Sequence, residues 1–180
     1  MNKKEILFWA NEYDKQFSED VQTERKLGDK LRKTKEVTLE DLIGLNDWKF
    51  KGNEPRRKHN LSYMQDNNDA NVRNITKQAF LDMKSDQQKI DLLDDNLKGV
   101  GTSMASVILT FYNPKEFCVF DIHVWRELFG EKPKNLYLTE NYLKILARLR
   151  NERDPKYSLN DVRTVEKAYF KKNYDKCNRE

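Results

Sequence analysis

The sequence predicts an all-α fold, and three observations support this class. Apolar residues recur at helical spacing in several segments. Residues with helix-capping side chains stand before these segments. No segment alternates between apolar and polar residues with a period of two, as half-buried strands do. We therefore expect a single domain spanning residues 1–180, a compact bundle of about eight to ten helices.

The composition is that of a globular protein with a densely charged surface. The chain has 180 residues, of which 36% are charged and 37% are hydrophobic. No apolar run approaches the length of a membrane-spanning helix, and Met1–Lys4 leads into an amphipathic pattern. We therefore expect no membrane partner and a cytoplasmic, intracellular location. Cys118 and Cys177 are too few for a disulfide framework.

The first half of the chain predicts three helices and a basic loop. The first helix places one apolar face toward the core, with Ile6, Trp9, Ala10, Tyr13 and Phe17. A charged surface helix follows over residues 19–35, and Thr38 with Asp41 forms a variant capping box for a short helix to Trp48. Residues 49–59 contain five basic residues and one Glu54, so their net charge of +4 equals that of the whole chain.

The second half predicts further helices around a glycine turn. Val72, Ile75, Ala79 and Met83 form a helical stripe, and Ser85 with Gln88 forms a capping box. The next helix carries the apolar stripe of Met104, Val107, Ile108 and Phe111. The apolar run 117–120 then leads to Asp121 at the start of another helix. We expect Thr139 to cap the next helix, and Ser158 with Asp161 to begin the last one.

Two linked motifs in this half resemble those of a known enzyme family. They are Leu97-Lys98-Gly99-Val100-Gly101 and Phe120-Asp121-Ile122-His123-Val124-Trp125-Arg126. They are similar to the L-P-G-V-G turn and the V-D-T-H-V-F-R segment of endonuclease III-like DNA glycosylases, members of the helix-hairpin-helix (HhH-GPD) superfamily. The resemblance implies the fold of that family, with the helix-hairpin-helix at about 89–112 and the catalytic-aspartate segment at 117–130. Two motifs at matching separation are more specific than one glycine pattern.

The resemblance places the catalytic carboxylate of the family at Asp121. Removal of a base breaks a C–N bond while positive charge develops on the sugar, and a carboxylate beside that carbon can stabilise the charge or activate water. An aspartate before a helix is also a common N-cap, and the two roles are compatible. The resemblance favours catalysis, with duplex DNA containing a damaged, mismatched or modified base as the partner.

The glycine turn has a second predicted role. Glycines allow a close approach, so that main-chain N–H groups at the helix start can bind a DNA phosphate. A simple helix-to-helix turn with a C-capping glycine is the alternative. The residues expected to contact DNA are Lys98, Gly99, Val100, Gly101, Thr102, His123, Arg126, Lys49, Arg56, Arg57 and Lys58. Helix packing is an alternative for His123 and Arg126, and a solvated loop is one for the basic segment.

Two further positions concern the chemistry of the base and the sugar. Trp48 and Lys49 are the candidates for a pocket that receives the flipped base. Ser103 stands where bifunctional members of the family carry a lysine that forms an imine with the sugar. A serine cannot form this imine. The resemblance therefore implies hydrolysis without strand cleavage, unless another lysine such as Lys49 or Lys98 supplies the amine.

The remaining expectations concern cofactors, assembly and competing functions. Two cysteines cannot build the four-cysteine iron-sulphur loop of many family members, and two histidines without metal-site spacing argue against a zinc site. We expect no required cofactor, with a monovalent cation at the carbonyls of the turn as an optional ligand, and a monomer. The alternatives are a non-catalytic DNA-binding module with the same hairpin, a bifunctional glycosylase, and a helical interaction domain without a nucleic-acid role.

Overall fold

The computed structural model of the protein describes residues 1–157 and 159–178. This part of the chain contains ten α-helices, one 3-10 turn and no strand, which confirms the predicted all-α class. The helices are α1 (Lys3–Gln16), α2 (Ser18–Thr34), α3 (Leu39–Lys49), α4 (Glu54–Met64), α5 (Asp69–Ala79), α6 (Asp86–Asn96), α7 (Thr102–Tyr112), α8 (Ile122–Phe129), α9 (Thr139–Arg150) and α10 (Val162–Cys177), with the 3-10 turn at Pro155–Tyr157.

Side-chain caps account for several of the helix starts. The predicted capping boxes at Thr38 and Ser85 are both formed. The prediction for Thr139 was wrong, because Thr139 is the first residue of α9 and Leu138 occupies the cap without a side-chain hydrogen bond. Asp161 is the N-cap of α10 but makes no side-chain cap bond, and Ser158 lies outside the described residues.

Two predictions between residues 49 and 85 need correction. The basic segment is not one loop, because residues from Glu54 onward belong to α4. The loop between α3 and α4 comprises only residues 50–53. The Asn53 side chain caps α4, and Pro55 stands in its first turn, where a missing N–H costs nothing. Met83 does not belong to the stripe of α5, because α5 ends at Ala79 and Met83 is 94% exposed.

The core surrounds α7, and the two ends of the chain pack against each other. Every residue of α7 from Thr102 to Phe111 is buried, because α2, α3 and α6 all pack on this helix. The first and last helices, α1 and α10, form an extensive contact, and α8 packs on α10. Within the described residues, no helix is long and apolar enough to span a membrane. This arrangement places α1, α3, α8 and α10 around the segment that carries Asp121.

Candidate active site

The position of Asp121 is fixed from both sides of the residue. Before it, residues 117–120 are buried, and the Phe120 N–H donates to the Ser106 hydroxyl on α7 at 2.9 Å. After it, the Asp121 carboxylate accepts from the His123 N–H at 2.9 Å through Oδ1 and so caps α8. Oδ1 therefore fulfils the predicted capping role, and Oδ2 makes a different contact.

That second oxygen is paired with Lys49, the last residue of α3. The Lys49 ammonium lies 3.0 Å from Asp121 Oδ2 and also donates to the Phe120 carbonyl at 3.0 Å. The side chains of Lys49 and Asp121 are 8% and 20% exposed, so the pair is largely shielded from water. Burial by itself would raise the pKa of Asp121, but the Lys49 charge and the hydrogen bonds from His123 and Lys49 outweigh it and lower that pKa. Asp121 is therefore a carboxylate at neutral pH.

Asp121 and Lys49 line a cavity of about 240 Å³ that we call the aromatic cavity. Its walls are aromatic rings from α1, α3 and α10 and the residue between α1 and α2, namely Tyr13, Phe17, Trp48, Phe170 and Tyr174. Tyr13 and Phe17 contact Phe170, and Phe170 stacks on Tyr174 with 5.7 Å between ring centroids. An anionic carboxylate and an ammonium thus share one recess with flat apolar surfaces.

The polar side of the aromatic cavity is a buried ionic cluster. Arg163 donates to both Glu24 and Glu166 and to the Tyr13 hydroxyl. Burial opposes ionisation of both acids, but Arg163 outweighs it at Glu24, whose pKa is lowered. At Glu166 burial prevails, assisted by the charges of Glu24 and Asp121, and its pKa is raised. One guanidinium therefore holds two carboxyl groups with opposite tendencies to ionise.

The sequence analysis named Trp48 and Lys49 for the base pocket, and both line this cavity. It missed Arg163, Glu166 and the rings of α10 as cavity residues. The apolar spacing of α1 and α10 was visible, but it indicates burial and does not show which buried rings border a recess.

His123 and Arg126 occupy different environments on α8. His123 Nδ1 lies 2.9 Å from Asn173 Oδ1, and its ring packs edge-on against Phe170 and Tyr174. Arg126 is exposed. His123 therefore packs α8 against α10 and supports the aromatic wall, whereas Arg126 is accessible to a ligand in solution.

The glycine turn, residues 97–101, joins α6 to α7. Gly99 has φ +76°, and an added Cβ would lie 2.8 Å from Met64 Cγ and 2.9 Å from the Asn60 carbonyl oxygen, so α4 packs directly on this glycine. Gly101 has φ −86°, and nothing lies within 4 Å of an added Cβ. Folding therefore requires glycine at position 99, but neither backbone angle nor internal packing requires it at position 101.

The turn borders a second recess, of about 660 Å³, that we call the turn cavity. Among the described residues, the Gly99 and Gly101 amides donate no hydrogen bond. Ser103 also lines this cavity; its side chain is buried, and its hydroxyl has no hydrogen-bond partner in the described part. The Gly99 and Gly101 amides and the Ser103 hydroxyl can therefore donate hydrogen bonds to a ligand at the start of α7.

An acidic residue shares this end of α7. The Thr102 hydroxyl donates to Asp94 at 3.3 Å, and partial burial raises the pKa of the Asp94 carboxyl despite this bond. Asp94 and Ser103 line the turn cavity, whereas Asp121 lines the aromatic cavity. Lys49 lines the aromatic cavity and the next residue, Phe50, lines the turn cavity. The end of α3 therefore lies between the two cavities.

The basic residues predicted to contact DNA differ in their partners. Arg57 pairs with Asp47 and Glu54, Lys58 pairs with Glu54, and Lys98 lies 3.7 Å from Asp66. The Arg56 guanidinium instead lies between two rings, 4.8 Å from the centroid of Phe50 and 5.0 Å from that of Tyr137, on the turn cavity. In the part of the chain that the structure describes, Arg56 and Arg126 form no ion pair with a carboxylate.

Metal-ligating side chains are not grouped in the described residues: no three His, Cys, Asp or Glu residues are placed to hold an ion together. Cys118 is buried, and burial raises the pKa of its thiol, as expected for a core cysteine.

Comparisons with known proteins give no family for this chain. No protein-family model, no curated protein sequence and no solved structure matches it.

Proposed function

We propose that this protein is a DNA N-glycosylase with a helix-hairpin-helix fold, which hydrolyses the bond between deoxyribose and a damaged, mismatched or modified base. The observation that carries the proposal is the largely shielded Asp121 carboxylate, paired with Lys49 in a recess with flat aromatic walls. Of the two sequence motifs that resemble the family, one forms the turn before α7 and the other begins α8.

The chemistry assigned to Asp121 follows from its charge and its surroundings. As the C–N bond breaks, positive charge develops on the sugar, and a carboxylate fixed beside that carbon lowers the energy of this state. Oδ1 is held by the cap bond, which orients the group without using Oδ2. Oδ2 can accept a proton from the attacking water once a substrate displaces the Lys49 contact.

The aromatic cavity is the proposed receptor for the base. A base must leave the duplex stack before its sugar reaches a buried carboxylate, and stacking on aromatic rings offsets part of that cost. Trp48, Phe17 and Tyr174 offer such surfaces beside Asp121. Lys49 and the Arg163 cluster supply polar groups that can distinguish one base edge from another.

The DNA backbone is proposed to contact the turn cavity. The amides of Gly99 and Gly101, the start of α7 and the Arg56 guanidinium all border that recess. Open space at Gly101 fits this role, because a ligand phosphate can approach the main chain where no side chain intervenes. Such contacts position DNA without reading its sequence.

The test is base release from duplexes that each carry one lesion from a broad panel, followed by alkali cleavage of the abasic product. Asp121→Asn should abolish release while keeping DNA affinity, because asparagine caps a helix as well as aspartate does. Asp161→Asn is the matched control, since it makes the same change at the N-cap of α10. Equal release by Asp121→Asn and the unmodified protein would remove Asp121 from the mechanism.

The Asp121–His123 cap bond favours a second candidate function, a DNA-binding module without chemistry. In that case the aspartate serves only to begin α8. This alternative predicts salt-sensitive affinity for any duplex and no release from any lesion of the panel. The same assay therefore separates the two functions.

A further inference from the structure

The turn cavity contains a polar group that the proposed contacts of the DNA backbone do not use. Ser103 is 6% exposed, and its hydroxyl has no hydrogen-bond partner within residues 1–157 and 159–178. A buried polar group without a partner costs free energy in the folded protein. Main-chain amides are enough for a phosphate that passes along the surface of the turn. The buried hydroxyl therefore indicates a ligand that enters the recess.

Three elements of the fold contribute hydrogen-bond donors to this recess. The turn contributes the Gly99 and Gly101 amides, α7 contributes the Ser103 hydroxyl, and α4 contributes the Arg56 guanidinium. Helix α4 packs directly on the turn at Gly99, where an added Cβ would lie 2.9 Å from the Asn60 carbonyl oxygen. The donors of α4 and of the turn therefore belong to one packed unit.

Two aromatic rings hold the Arg56 head group in place. The guanidinium lies 4.8 Å from the ring centroid of Phe50 and 5.0 Å from that of Tyr137, and both rings line the turn cavity. Stacking uses the faces of the planar guanidinium and leaves the N–H groups at its edge available to an anion. Because the side chain is already ordered, a ligand that binds it loses less free energy to the ordering of a long arginine.

Net charge does not explain what this recess would bind. Arg56 and Lys98 line it, but Asp94 and Asp95 do so as well, and the formal charges of these four side chains cancel. One of the two acids, Asp94, accepts from the Thr102 hydroxyl at 3.3 Å. Affinity for an anion must therefore come from directed hydrogen bonds, which favours a ligand with several acceptor oxygens over a simple counterion.

Terminal and internal phosphates of DNA differ in how they could use these donors. An internal phosphodiester has two ester bonds, and its chain continues on both sides. A phosphate monoester has one ester bond, three acceptor oxygens and a charge of about −1.5 to −2 near pH 7, so it can enter a recess end-on. Building on the proposed function, which brings DNA to the turn, we propose that the turn cavity binds a phosphate monoester, which a nicked strand supplies as its terminal phosphate.

The experiment measures fluorescence anisotropy of the full-length protein on labelled duplexes of one sequence. One duplex is uninterrupted, and the others carry a nick with a 5′-phosphate, with a 3′-phosphate, or with hydroxyls at both ends. A phosphate-bearing nick should bind roughly tenfold tighter than the hydroxyl nick, a factor that one charge-assisted hydrogen bond can provide. The hydroxyl nick controls for the flexibility of a broken strand. Competition by thymidine 5′-monophosphate tests a free nucleotide as the source of the monoester.

A variant at Ser103 tests whether the preference comes from this recess. Ser103→Ala should remove most of the preference for the phosphate-bearing nick. Loss of a hydroxyl without a partner should not destabilise the fold, which urea unfolding verifies. Ser62→Ala is the matched control and should retain the preference, because Ser62 is exposed and does not line the turn cavity.

Two results would overturn the proposal. One is equal affinity for the phosphate and hydroxyl nicks without competition by the nucleotide, and the other is a preference that Ser103→Ala retains in full. Competition by the nucleotide at the affinity of the nicked duplex would support the site and assign it to a free nucleotide. The nicked duplexes carry no lesion, so their binding is independent of base release. Base release without a phosphate preference would keep the glycosylase and reject this site, and the converse result would reject the glycosylase alone.

Discussion

The Lys49 ammonium and the Asp121 carboxylate form a 3.0 Å ion pair across 72 residues of sequence. The pair joins the end of α3 to the start of α8 and lies on one wall of the aromatic cavity. It keeps the carboxylate ionised against the effect of burial. The proposed function depends on this contact, because it defines the charge of Asp121.

Replacement of Lys49 by glutamine should move the acid limb of base release to higher pH. The pKa of Asp121 is lowered in the intact protein, so removal of the charge that lowers it leaves burial to raise that pKa. Single-turnover base release measured against pH reports this shift, and Lys30→Gln should leave the profile unchanged. An unmoved acid limb in Lys49→Gln would show that Lys49 does not set the ionisation of the catalytic group.

Changes at Gly99 and Gly101 should separate folding from DNA binding. Gly99→Ala should destabilise the fold by about 1–3 kcal/mol, because the residue has positive φ and a Cβ would meet Met64 and Asn60. Gly101→Ser should keep or slightly raise stability, since serine is a good N-cap at this extended, open position. It should nevertheless weaken duplex affinity, because its side chain occupies the approach to the amides.

Urea unfolding and fluorescence anisotropy on a labelled duplex measure the two effects. The proposal for the turn fails if Gly101→Ser, folded and stable, binds DNA as tightly as the unmodified protein. In that case glycine at position 101 would have neither a structural nor a binding reason.

The parts of the fold that local signals determine were predictable. The Thr38 and Ser85 capping boxes mark helix starts that the structure contains. The stripe of Met104, Val107, Ile108 and Phe111 identified α7, although this helix is buried on all sides and not on one face. Helix α4 was missed because Met64 is buried while most of its other residues are polar and accessible, which leaves little apolar periodicity to detect.

The candidate site was predictable only in part. A linear motif identified Asp121, and the basic segment contained Lys49, but their contact depends on how α3 and α8 approach each other in space. Tyr13 and Phe170 come from opposite ends of the chain and meet because α1 packs on α10. Periodicity shows which face of a helix is buried, but it does not show which helix covers that face.

The buried cluster at the cavity predicts a difference between two glutamates. The lowered pKa of Glu24 means that its ionised form stabilises the fold above an unfolded pKa of about 4.3, and this stabilisation is lost as pH falls. The raised pKa of Glu166 has the opposite sign, so its protonated form stabilises the fold at low pH and this contribution is lost as pH rises.

Glu24→Gln should therefore lower the free energy of unfolding by about 1–3 kcal/mol at neutral pH. Glu166→Gln should lower this free energy by a smaller amount. Glutamine keeps an acceptor for Arg163 in both variants, so the comparison isolates the charge. Urea unfolding at neutral pH and near pH 4 should show that the free energies of unfolding of the two variants become more similar at the lower pH. The reason is that the stabilising contribution of ionised Glu24 is lost as pH falls. A larger loss for Glu166→Gln at neutral pH would contradict the assignment.

The neighbouring residues Arg56 and Arg57 give a matched test of the DNA-facing surface. Arg56 stacks between Phe50 and Tyr137 on the turn cavity, whereas Arg57 is held by Asp47 and Glu54. If the Arg56 guanidinium contacts a phosphate, Arg56→Gln should weaken duplex binding and reduce the slope of log affinity against log salt by about 1. Arg57→Gln should change the slope much less, because the charge of Arg57 is already neutralised within the protein. Anisotropy titrations at several salt concentrations measure both slopes, and equal slopes for the two variants would exclude Arg56 as a phosphate contact.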